Sequence, residues 1–156
     1  MNVSLTAWRK DGWLLEHRTS AREVADLLAA ADRDLADSRT RALSPDWRFN
    51  IAFNAALQSA RAALAASGYR PSRETQHYIV VRSLRLTIGA DARTVELFEA
   101  FRRKRNIGTY ERAGVVSDHE AEAARRLAVK VREKVEAWIR EHHPEYAAEE
   151  SAKRRS

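Results

Sequence analysis

Residues 101–114 read FRRKRNIGTYERAG, and they hold the densest set of groups able to handle a phosphate. Arg102, Arg103, Lys104 and Arg105 are four consecutive cations, Asn106 adds an amide, and Tyr110 brings a phenol five positions beyond Arg105, with Arg112 just after it. A guanidinium can grip a phosphate with two parallel hydrogen bonds, and a tyrosine can hydrogen-bond to it or stack on a base. The same residues also suit a structural reading. Cations near a helix end complement its dipole without any ligand, charge runs are commonly solvated, and Tyr110 can be a packing aromatic.

Other chemistries find little support. Without Cys there is no disulfide, thiolate metal site or cysteine nucleophile. The five histidines, His17, His77, His119, His142 and His143, never occur with carboxylates in the inward i, i+3 or i, i+4 pattern of a helical metal site, so neither metal nor cofactor is expected. No Gly-rich phosphate loop or Gly-x-Ser-x-Gly elbow occurs. His142 and His143 precede Pro144 and read as a helix C-terminal cap.

The net charge of +6 favours an acidic partner, although 23 of the 28 basic residues are Arg in an Ala-rich chain, a bias that genome composition also produces. No stretch reaches the roughly 20 apolar residues of a membrane span, and the N-terminus lacks a signal-like apolar run. The expectation is a soluble cytoplasmic protein that does not engage a membrane.

The elements that must position these groups are helical. A short helix is expected around Val3 to Lys10, and Ser20 with Glu23 forms a capping box opening a helix to Asp37. Ser44 and Pro45 start the next helix, which Gly68 stops. Ser72 is read as opening a third that runs to Ile88, and Asp91 a shorter fourth that ends in the basic run. Ser117 with Glu120 caps the longest, which ends before Pro144. No segment longer than a few residues alternates with period two. The predicted fold is therefore all-α: an up-and-down bundle of four long helices with a short additional helix before the last. Residues 1–19 read as an extension, 20–143 as the bundle and 144–156 as a flexible tail. Trp47 and Trp138 are read as packing residues. Asn54 is read either as a hydrogen-bonding partner of the basic motif or as a surface residue.

The run FEAFRRKRNIGTYERAGVVSDHEAE, preceded by WRFNIAFNAALQSARAALAASGYRPSRETQHYIVVRSL with its GYRP turn, resembles the small bacterial HEPN-domain family (higher eukaryotes and prokaryotes nucleotide-binding) from about Ser20 to Ile139. The resemblance implies a four-helix bundle, commonly homodimeric. It also implies metal-independent ribonuclease activity in toxin–antitoxin or defence systems, with a nucleotidyltransferase-type antitoxin as a possible partner. It assigns the family's Arg and polar positions to Arg105 and Asn106, and its His position to Tyr110. That last departure weakens catalysis. A phenol of ordinary pKa is ionised in about one molecule in a thousand at neutral pH, against a large fraction for imidazole. His77 or His119 is a candidate to serve in its place from another helix. Three functions follow: an RNA- or nucleotide-binding module with weak or no cleavage, an active ribonuclease toxin, and a non-catalytic dimeric adaptor.

Overall fold

The computed structural model describes residues 4–73, 76–110 and 116–147, the side chains of 106–110 lying outside that description. Helix α1 (Leu5–Lys10) leads into strand β1 (Leu14–Glu16), followed by α2 (Ala21–Asp37), α3 (Pro45–Ala66), strand β2 (Tyr69–Pro71), α4 (Gln76–Ser83), α5 (Ala92–Tyr110) and α6 (Asp118–His142). One further helical turn covers 144–147. None of the described helices is long and apolar enough to cross a membrane.

Serine hydroxyls set three of the helix starts. Ser20 Oγ accepts from the Glu23 amide at 3.1 Å, Ser44 Oγ from the Trp47 amide at 3.3 Å, and Ser117 Oγ from the Glu120 amide at 3.1 Å. Only Ser117 completes the expected box, because Glu120 returns a hydrogen bond to the Ser117 backbone. At Ser20 the Glu23 carboxylate is turned elsewhere, accepting at 2.6 Å from Thr19 and meeting His17 Nε2 at the same distance. Gly68 takes φ +93°, a left-handed conformation that ends α3 and that a Cβ would strain.

The middle of the molecule is α3, buried on nearly all sides. Phe49, Phe53, Leu57 and Leu64 fill one wall, while alanines such as Ala52, Ala55, Ala60 and Ala63 let neighbouring helices approach closely. It packs chiefly on α6 and α2, and on its other flank against α4 and α5. The apolar stripes of α2 (Val24, Leu28, Ala31) and α6 (Ala124, Leu127, Val131, Val135) recur at three- and four-residue spacing and face inward. A side-chain clamp reinforces this half: Arg132, 8% exposed, gives two hydrogen bonds of 2.9 Å to Asp32 on α2 and one of 2.8 Å to Glu136.

The all-α, bundle-like class agrees with the sequence reading, but several details differ. A small antiparallel sheet joins β1 to β2, pairing Leu14 with Pro71, Leu15 with Arg70 and Glu16 with Tyr69. The GYRP segment is thus partly strand, and fully buried Leu14 ties the N-terminal segment to the core. The Ser72 amide donates to the Trp13 carbonyl at 3.0 Å, extending the sheet; the amides of residues 74 and 75 that a Ser72 cap would serve lie outside the described residues. The short helix is α4, which stops at Ser83 instead of running to Ile88. Ser83 Oγ donates to the Val80 carbonyl and Thr87 Oγ1 to the Ser83 carbonyl, so hydroxyls compete with the helical ladder there. In contrast, α5 is long, which places Arg102 to Arg105 inside a helix and not at its end. Trp47 is 62% exposed and does not pack in the core, whereas Trp138 packs against it.

Candidate nucleic-acid interface

The inner face of α5 is set by Val95, Phe98 and Phe101, all buried. Phe98 meets Phe53 edge-on at 5.4 Å between ring centroids, and Phe101 meets Phe49 in the same way at 5.4 Å. Arg105 lies two helical turns beyond Phe98 on the same stripe, so its guanidinium is carried over the Phe53 ring, 5.0 Å from the centroid. Burial pushes the Arg105 guanidinium down from its ordinary value, yet an arginine stays charged at any physiological pH.

Arg102, one turn earlier, is held by Glu99, whose Oε1 accepts from Nε at 2.9 Å and from the terminal nitrogen at 2.5 Å. Glu99 is 1% exposed and its Oε2 has no hydrogen-bond partner, an orphaned buried acceptor. Arg102 also lies over Tyr78 of α4 at 5.5 Å, and Arg82 approaches the same ring at 5.2 Å. Tyr78, 38% exposed, is therefore an aromatic platform between two guanidinium groups. Lys104 pairs with Glu120 and so links α5 to the capping box of α6. Arg103 is exposed and has no ion pair among the described residues.

His77, in the first turn of α4, completes the cluster. Its pKa is held below the ordinary 6.5, first by burial and then by the charges of Arg105, Arg61 and Arg102. The imidazole is therefore neutral at pH 7 and able to accept a proton. Arg61 comes from α3, and its Nε is buried without a hydrogen-bond partner. Three helices thus deliver Arg61, His77, Tyr78, Arg82, Arg102 and Arg105 to one junction.

The structure sorts the sequence candidates. Arg102, Arg105 and His77 come together; Arg103 and Lys104 flank them on α5. Asn54 does not join the motif: its Nδ2 donates to Asp34 Oδ2 at 2.7 Å across the α2–α3 seam. His119 lines a different surface depression, with Arg39, Arg41, Arg48 and Arg125, and no described contact links it to Arg105. The side chains of Asn106 and Tyr110, and the whole of Arg112, lie outside the described residues. Sequence reasoning passed over Arg61, Tyr78, Arg82 and Glu99. The i, i+4 pair of Tyr78 with Arg82 and the i, i+3 pair of Glu99 with Arg102 were visible signals, but Arg61 reaches the cluster only through tertiary packing.

No protein-family model, curated protein or solved structure matches the chain.

Proposed function

We propose that this protein is an RNA- or nucleotide-binding module of the HEPN type that grips phosphate through the cationic junction of α3, α4 and α5, with weak or no ribonuclease activity. The observation that carries the reading is the gathering of Arg61, Arg102 and Arg105 around a neutral His77, beside a Tyr78 ring half open to solvent. Glu99 offsets the charge of Arg102, and the cationic character that Arg61 and Arg105 add around it favours a polyanion. The exposed Tyr78 ring suits base stacking, which tolerates any sequence. Fluorescence anisotropy with a labelled single-stranded RNA tests the reading. Saturable binding that Arg102→Ala and Arg105→Ala weaken supports it, and binding indifferent to both refutes it.

A second reading is favoured by the placement of His77 near Arg105: an active metal-independent ribonuclease. In that scheme His77 takes the proton of a ribose 2′-hydroxyl, the 2′-oxygen bonds to the adjacent phosphorus, and the bond from phosphorus to the 5′-oxygen breaks. The leaving oxygen is protonated by water, and Arg105 meets the charge growing on the phosphate. Total RNA incubated with the protein in EDTA, followed by assay for 2′,3′-cyclic phosphate ends, separates the two readings. Cyclic ends that vanish in His77→Gln establish the enzyme, and bound but intact RNA establishes the binder.

A further inference from the structure

Residues of α2, α3, the sheet and the start of α4 border an open cavity of about 340 Å³. Leu27, Leu64, Ala65 and Pro71 give it an apolar wall, and Tyr69 adds an aromatic ring. Three arginines also line it: Arg61 from α3, Arg70 from β2 and Arg73 from the turn after β2. Glu23 is the carboxylate among the lining residues, and its Oε1 is already engaged by Thr19 and His17, each at 2.6 Å. Arg61 adds a buried Nε–H that no acceptor satisfies. Buried donors of this kind are rare in folded proteins, and this one leaves Arg61 with hydrogen-bonding capacity unused beside the cavity.

The geometry points to a binding site for a small organic anion with an apolar body, its phosphate or carboxylate held by Arg61, Arg70 and Arg73 and its ring or chain laid against Leu27, Leu64 and Tyr69. The volume lies near the lower end of the range of about 300 to 1,000 Å³ for small-molecule pockets, so a compound of one or two fused rings fits and a longer chain does not. Because the lining holds apolar side chains as well as arginines, an anion with an apolar body should bind better than a bare inorganic ion, which would leave the apolar surface wet. This site stands apart from the proposed RNA interface, sharing with it only Arg61.

The test is titration calorimetry of the full chain with naphthyl phosphate, naphthoate, inorganic phosphate and neutral naphthol, with circular dichroism confirming the fold of each variant. Saturable binding of naphthyl phosphate or naphthoate is expected, the stronger of the two identifying the head group, with inorganic phosphate and naphthol each weaker by about tenfold or more. Arg61→Met and Arg73→Ala should each lower that affinity by about tenfold, since each removes a charge-assisted hydrogen bond. Arg103→Ala, on the outer face of α5, should leave it unchanged even where it weakens RNA binding. Should Arg61→Met fail to fold, Arg73→Ala decides the matter, because Arg73 is exposed and its loss does not disturb the core. Absence of saturable binding of both naphthyl acids at millimolar concentration, or binding unaffected by Arg73→Ala, overturns the proposal.

Discussion

Replacing Arg103 and Arg105 together by Ala should flatten the salt dependence of RNA binding by a definable amount. Each phosphate neutralised on a single strand contributes about 0.7 to the slope of log affinity against log salt, so two lost contacts remove up to about 1.4. Between 50 and 200 mM salt that difference amounts to about sevenfold in affinity. The neighbouring cations should not behave equally. Arg103 is exposed without an ion pair among the described residues and should contribute its full share, while Arg105, over Phe53 at the junction, should contribute at most that much. Lys104 is paired with Glu120, and the carboxylate offsets part of its charge, so Lys104→Ala should change the slope by less than about 0.7. Arg125 and Arg126 on α6 both meet Glu122, at 2.5 and 3.9 Å, and their joint replacement should leave the slope nearly unaltered. Anisotropy titrations at four or so salt concentrations measure all of these. Equal slope changes for the α5 and α6 pairs would mean diffuse basic attraction with no site at the junction, and would refute the reasoning.

Because the folded chain holds His77 below its ordinary 6.5, the unfolded chain binds that proton first as the pH falls; stability should therefore decline from pH 6.5 down through the lower folded value, and His77→Gln should remove that part of the decline in urea titrations. Protonation in the same window adds a cation to the cluster, so RNA binding should tighten on acidification and its salt slope steepen by about 0.7, an effect absent in His77→Gln. Arg132→Ala opens the α2–α6 clamp; a loss of about 2 to 4 kcal/mol is expected by chemical denaturation, moderated because Asp32 is 57% exposed and Glu136 keeps its ion pair with Arg140. Phe53→Ala removes the ring beneath Arg105 and against Phe98, and should cost about 3 to 5 kcal/mol as well as weaken RNA binding. If Tyr110 stands where a catalytic histidine belongs, Tyr110→His should produce EDTA-resistant cleavage that disappears when Arg105→Ala is added; a phenol of ordinary pKa costs about 4 kcal/mol to deprotonate at pH 7, which imidazole avoids.

The amino-acid sequence by itself determined the helices whose information is local. The stripe of α6 repeats every three to four residues between Ser117 and Pro144, and Ser44 followed by Pro45 marks the start of α3, so both elements were legible. The cationic run was equally plain. Only tertiary structure decided which of those cations meet and what they meet. The three-residue strands β1 and β2 are too short to display a period and exist because their partner lies more than fifty residues away. The backbone of Ser72 joins Trp13 across the sheet, a bond that nothing near Ser72 in the sequence announces. Arg132 reads locally as one more charge on a solvated face, yet its partner Asp32 is a hundred residues away, and the pair is made only when α2 and α6 pack. His77 and Arg61 carry no mutual signal in the chain. They become neighbours of Arg105 because α4 and α5 both dock on the same flank of α3, and the electrostatic field at a point depends on distances through space, which local sequence spacing does not encode.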